Sequence, residues 1–142
     1  MTIGHIIGGR TREVISCEAS LPLREAIKLL ARERIGALPV LDGGQVAGIF
    51  SERDVIRQLD ADGPAILERT VGEAMTAPAI TVAPETTVLE ALGLMTRRRI
   101  RHLPVVDGGR IVDFVSIGDL VKYRIDHIQN EAEALRSYIQ SA

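Results

Sequence analysis

Two four-residue blocks carry the most suggestive chemistry in this chain: Ser51-Glu52-Arg53-Asp54 and Ser116-Ile117-Gly118-Asp119. In each, a β-rich run delivers a serine to the start of a helical pattern, and an aspartate follows three residues later. One reading is local. Serine at an N-cap with an acid at N3 is an ordinary helix start, and the carboxylate suits the positive end of the helix dipole. The other reading is functional: free amides at that end bind an anion while the aspartate accepts hydrogen bonds from a diol. Spacing alone favours the local reading. Duplication weighs toward the functional one, because both pairs would line the same cleft.

The densest cationic run is Arg97-Arg98-Arg99-Ile100-Arg101-His102. Arg97 and Arg98 read as a solvated helix C-terminus, where cations gain roughly 0.3–1 kcal/mol each from the dipole. Arg101 and His102 follow the helix and precede a Leu-Pro-Val strand, nearer the cleft. A guanidinium beside an imidazole suits phosphate oxygens. The corresponding residues of the other copy are the small Gly36 and Ala37, which leave room for a bulky group.

Other chemistry finds little support. His5, His102 and His127 show no metal-ligand spacing. Cys17 sits on an apolar run, where a free thiol is usually inert packing. No phosphate-binding Gly-x-x-x-x-Gly-Lys loop or Gly-x-Ser-x-Gly elbow occurs, and no nucleophile has a base and an orienting group at recognisable spacing. Neither a catalyst nor a metal site is expected.

The elements that position these groups occur twice. Leu38-Pro39-Val40-Leu41-Asp42-Gly43-Gly44 returns as Leu103-Pro104-Val105-Val106-Asp107-Gly108-Gly109, and the 65-residue offset holds without a gap from Ile15/Ile80 through Asp54/Asp119. A repeat that long is a whole supersecondary unit. Each copy reads as strand, helix, strand, hairpin, strand, helix. In the first these are Val14–Cys17, Leu23–Arg34, Leu38–Leu41, Gln45–Ser51 and Glu52–Leu59, with the Asp-Gly-Gly turn closing the hairpin. In the second they are Ile80–Val82, Val88–Arg98, Leu103–Val106, Arg110–Ser116 and a final helix. Thr2-Ile3-Gly4 also echoes Thr70-Val71-Gly72, at an offset three residues longer. The boundaries expected are 1–60 and 71–125 for the repeats, 61–70 for a connector with room for a short helix, and 126–142 for a helical extension. The fold class is α+β, two β-α-β-β-α units packed by pseudo-twofold symmetry.

In the tail, Val121, Ile125, Ile128, Ala132, Leu135 and Ile139 step by four and three, a heptad seam suited to self-association. Ala132 weakens the knob packing, so the tail is not expected to hold a dimer by itself. The bulk properties fit a soluble domain: 142 residues, 46% hydrophobic, with an aromatic fraction of 3% that makes the core aliphatic. A net charge of −2 gives no general attraction to nucleic acid or to anionic membrane. One cysteine excludes an internal disulfide, and no signal peptide or membrane span is visible, so a cytoplasmic protein is expected.

The Leu-Pro-Val-(Leu/Val)-Asp-Gly-Gly and Ser-x-x-Asp blocks together resemble the cystathionine β-synthase (CBS) domain, from Thr2 to about Ile125, in the tandem pair called a Bateman module. The resemblance implies two ligand clefts between the repeats and a flat dimer of two modules. It implies adenosine-containing ligands: AMP, ADP or ATP, less often NAD or S-adenosylmethionine. On this sequence the ribose-binding acids fall on Asp54 and Asp119, with hydroxyls from Ser51 and Ser116. Adenine contacts fall near Ser16 and Thr81, and phosphate-facing positions on Gly36-Ala37 and Arg101-His102, with Arg53 a further contact. Asp113 stands where the first copy has the family's Gly48. Unequal sites are therefore expected. The leading functional reading is a nucleotide-sensing module, without required cofactor, that dimerises and acts on another protein. The alternative is a scaffold that binds no ligand and assembles through its helices.

Overall fold

The computed structural model describes residues 1–8 and 13–141. The 65-residue offset reappears in the backbone almost element for element. In the first copy β1 (Cys17–Glu18) is followed by α2 (Leu23–Glu33), β2 (Ala37–Asp42), β3 (Gln45–Ser51) and α3 (Glu52–Asp62), after a short α1 (Ile3–Ile7). A 3₁₀ turn (Gly63–Glu68) and α4 (Val71–Ala74) connect to α5 (Val88–Arg98), β4 (His102–Asp107), β5 (Arg110–Ser116) and α6 (Ile117–Ser141). The connector thus does contain a short helix, and α3 runs three residues further than its apolar pattern suggests.

Both hairpins are antiparallel, and each register slips at the same place, Val40/Leu41 and Val105/Val106. The paired glycines of the turns take positive φ, +61° and +83° at Gly43 and Gly44, which explains their composition. Each middle helix ends on an arginine in the left-handed region, Arg34 and Arg99, both at φ 54°.

The first strand is where the copies diverge. Cys17 and Glu18 pair in parallel with Val40 and Leu41, and the N–H of Ala19 donates to Leu41 O at 2.9 Å. The expected strand Ile80–Val82 is reduced to one bridge, Val82 to Val105. The residue equivalent to Ala19 is Pro84, which has no N–H to extend the ladder. The first copy's strand also starts later than the expected Val14.

The core forms two clusters with matching residues. Leu23, Ala26, Leu30, Leu38, Val40 and Phe50 occupy the first as Val88, Ala91, Met95, Leu103, Val105 and Val115 occupy the second. Each cluster is completed by the segment that precedes the other copy. Val71 joins the first cluster, with its N–H donating to Leu21 O at 2.8 Å; Ile3 joins the second, donating to Thr86 O at 2.8 Å. This exchange explains why the Thr-Ile-Gly echo has its own offset. Ile3, fully buried three residues into the chain, is therefore a core residue. Ile3→Val should lower unfolding free energy by about 1 kcal/mol, read from a urea midpoint. A shift indistinguishable from zero would show that α1 does not dock.

Cys17 is buried in the first cluster, and burial, with a smaller contribution from Glu18, pushes its thiol up to about 11. It is packing, not a nucleophile. Among the described residues no helix is long and apolar enough to cross a membrane, and no group of three or more His, Cys, Asp or Glu could hold a metal ion.

Candidate functional site

Both Ser-x-x-Asp blocks form capping boxes, so the local reading of these residues is realised. Asp54 Oδ2 accepts from the N–H of Ser51 at 2.9 Å, and Ser51 Oγ accepts from the N–H of Asp54 at 3.4 Å. The second block repeats this at 2.9 and 3.1 Å. The N–H of Glu52 donates to Gly36 O at 3.0 Å, and that of Ile117 to Arg101 O at 2.8 Å. These bonds correct the expectation of free helix-end amides: two of the first three at α3 are engaged. Any anion held there must be met mainly by side chains.

Two clefts open between the copies, and each takes its acid from one and its opposite wall from the other. The larger, about 370 Å³, combines Ser51, Arg53 and Asp54 with Arg99, Arg101 and His102. The smaller, about 260 Å³, combines Ser116 and Asp119 with Ile35, Gly36 and Ala37. Gly36, Ala37 and His102 border both. Arg99 and Arg101 therefore line the Asp54 cleft and not the Asp119 cleft, whereas His102 and the small Gly36 and Ala37 are shared by both. Asp113, buried, lines the smaller cleft.

Eight of the ten candidate residues line a cleft; Ser16 and Thr81 do not. Their places are taken by Val14 and Ile15, and by Ala79 and Ile80. Arg97 and Arg98 lie exposed on the last turn of α5, as expected.

Among the residues of the larger cleft that escape sequence reasoning are Arg57, Thr76 and Arg99. Asp54, almost wholly buried, receives four donors. Besides the Ser51 N–H, its Oδ2 accepts from Ser51 Oγ at 3.2 Å, while Oδ1 accepts from Thr76 Oγ1 at 2.8 Å and from the Arg57 guanidinium. Arg57 stands one turn after Asp54 on α3, an (i, i+3) spacing that could have signalled it. Thr76 could not be found this way. It arrives because the chain after α4 bridges to β3, with Ile49 and Thr76 exchanging backbone bonds of 3.0 and 2.9 Å. The equivalents of Arg57 and Gly48 in the second copy are Lys122 and Asp113.

His102 lies flat on Phe114, ring centres 5.2 Å apart at 10°. Burial pulls its imidazole below the usual value, with Arg101 acting the same way and Asp119 and Glu52 opposing. The unfolded chain, with an ordinary imidazole near 6.5, takes up the proton first. Stability conferred by the neutral ring is thus complete above that value and is lost as pH falls from about 6.5 toward the folded value. Thermal unfolding from pH 5 to 7.5 should show this slope in the wild type and a shallower one in His102→Asn. Identical slopes would remove His102 as the source.

Paired α+β repeats around two shared clefts define a tandem-repeat module, and comparison with known proteins places it. The chain belongs to the CBS domain family, whose profile matches residues 3–61 and 71–126. It is 38% identical over 129 residues to the CBS domain-containing protein CBSX3, mitochondrial, of Arabidopsis thaliana, covering 87% of this chain and 63% of that protein's length. The chain spans 22% of another curated relative. Among solved structures it resembles the CBS-domain containing protein ATU1752 from Agrobacterium tumefaciens, with 34% identity, TM-score 0.81, and coverage of 87% and 99%. It also resembles the CBS domain pair of protein MJ0100 in complex with 5′-methylthioadenosine and S-adenosyl-L-methionine, with 25% identity, TM-score 0.77, and coverage of 89% and 98%.

Proposed function

We propose that this chain is a regulatory module that binds an adenosine nucleotide in the larger cleft and signals to a partner protein. One observation carries the reading: Arg53, Arg57, Arg99 and Arg101 converge with a buried aspartate on one cavity of about 370 Å³. The carboxylate suits a ribose diol, the guanidiniums suit phosphate oxygens, and the apolar Ile49 and Ile80 suit a purine face. The adenosine ligands of MJ0100 support the ligand class. AMP, ADP or ATP fit the cationic wall best, ahead of NAD and S-adenosylmethionine. No cofactor and no catalytic step is required.

The signal follows from what the ligand displaces. A diol on Asp54 competes with Thr76 and Arg57. Thr76 belongs to the segment joining the repeats, where Gln58 Nε2 also donates to Ala74 O at 3.2 Å and Arg69 donates to Gln58 Oε1 at 2.7 Å. Binding therefore biases the packing of one repeat against the other, by as much as the ligand prefers one arrangement. Exposed Ile56 and Leu59 on α3 and Val121 and Ile125 on α6 support a homodimer as the responding assembly. A cytoplasmic setting fits the single buried thiol.

The same exposed apolar side chains favour a second reading, a scaffold that assembles without ligand. Calorimetric titration with AMP, ADP, ATP, NAD and S-adenosylmethionine separates the two. Saturable heat with a nucleotide supports the sensor; no heat from folded, ligand-free protein leaves the scaffold.

A further inference from the structure

The last helix extends well beyond the body it starts on. Leu120 is buried, and Tyr123, Arg124 and His127 are half-buried, so this face rests on the second repeat. From Gln129 to Ser141 every side chain is exposed. The seam Val121, Ile125, Ile128, Ala132, Leu135, Ile139 lies about a quarter turn from the body face at 100° per residue, and covers roughly 27 Å of helix. Its apolar members are bare: Ile125 is 50% exposed, Leu135 60% and Ile139 63%. A helix with an apolar stripe that none of the described residues covers calls for a partner.

We infer that the partner is the same helix of a second copy, side by side in a parallel two-stranded coiled coil. The inference rests on the dimer reading above and adds its orientation. The charges beside the seam select it. With Ile125, Ala132 and Ile139 at the a positions, Val121, Ile128 and Leu135 are d, Arg124, Glu131 and Tyr138 are g, and Lys122, Gln129 and Arg136 are e. In a parallel pair each g residue faces the e residue five positions on in the other helix. Glu131 then meets the partner's Arg136, twice by symmetry, and Arg124 meets the partner's Gln129. In the fully overlapped antiparallel pair Glu131 would face the partner's Glu131, and Lys122 the partner's Arg136. Like charges meet at both places. His127 Nε2 lies 3.0 Å from Glu131 Oε1 on the side away from the seam, an exposed intrahelical contact that the partner's Arg136 would replace. The short seam, with alanine at one a position, suits a coil that orients a dimer also held through α3 and the start of α6.

The test uses the full chain. Leu135→Cys places a thiol at a d position, where a parallel coil brings the two symmetry-related sulfurs together, while Cys17 is buried and poorly ionised. Mild oxidation should convert the dimer to a disulfide-linked species. Glu131→Arg and Arg136→Glu, singly, should each weaken the dimer about ten-fold by sedimentation, and the double variant should recover it. All three positions are exposed, so circular dichroism should be unchanged. A wild type that stays monomeric at high concentration overturns both the dimer and the coil. A dimer that neither cross-links through Leu135→Cys nor recovers in the double variant overturns the coil alone. Nucleotide binding, measured on the same samples, stands or falls separately.

Discussion

Asp54→Ala is expected to weaken AMP binding by at least a hundred-fold while leaving the fold intact. The ribose hydroxyls would donate to a carboxylate that is only 2% exposed, where each hydrogen bond to a charged group is worth about 1.5–3 kcal/mol. Losing two such bonds is a loss of about 3–6 kcal/mol, hence the lower limit of a hundred-fold. The fold should tolerate the change at about 1–2 kcal/mol. Arg57, 61% exposed along its side chain, returns to solvent, and the Ser51 hydroxyl still accepts the amide of residue 54 to cap α3. Asp54→Asn should fall between, because its amide retains one acceptor but turns an N–H₂ toward donors. Asp119→Ala should leave the main isotherm nearly unchanged, since the four arginines gather on the other cleft. Calorimetry with each variant checks the set. Equal loss from Asp119→Ala and Asp54→Ala would sink the assignment of the working site, and retained affinity in Asp54→Ala would sink the ribose contact.

What could be read from the sequence follows a simple division. Features that are local or repeated were legible. The capping boxes at Ser51 and Ser116, the Asp-Gly-Gly turns and the seam of α6 each depend on spacing within one element, and the 65-residue offset aligns the two sets of core residues. Features that depend on one segment crossing another were not. Thr76 reaches Asp54 only because the chain after α4 returns along β3. Pairing Arg101 with Asp54 rather than Asp119 likewise follows from the way the copies face each other. Ser16 and Thr81 follow directly on the lining residues Val14 and Ile15, and Ala79 and Ile80, so the repeat marks the segment but not which of its residues face the cleft. The missing strand pairing at Ile80–Val82 was present in the sequence as Pro84, but its weight appears only beside the Ala19 bond it cannot make.

Gly48→Asp, behind Thr76 of the larger cleft, should destabilise the protein by about 4 kcal/mol. The second copy shows that the strand itself accepts an aspartate: Asp113 pairs with Val105 as Gly48 pairs with Val40. The difference is what lies on top. A β-carbon at position 48 would come within 2.6 Å of Thr76 O and 2.7 Å of Met75 Sδ. The methionine can yield, but the carbonyl cannot move freely, because Thr76 is bonded to Ile49 through both its N–H and its C=O. Overpacking of this kind costs about 1–3 kcal/mol, and a carboxylate crowded against a backbone carbonyl adds about 1–3 kcal/mol for a buried polar group left without a donor. Gly48→Ala isolates the steric part and should cost about 2 kcal/mol. Urea unfolding of both variants gives the stabilities, and AMP titration of Gly48→Ala gives the linkage. If Thr76 is displaced, it no longer competes for Asp54 Oδ1, and affinity should rise several-fold even though position 48 offers no ligand contact of its own. A Gly48→Asp protein within 1 kcal/mol of wild type would mean that the segment joining the repeats is not latched to β3. The route by which cleft occupancy is proposed to reach the packing of the two repeats would then have to be abandoned.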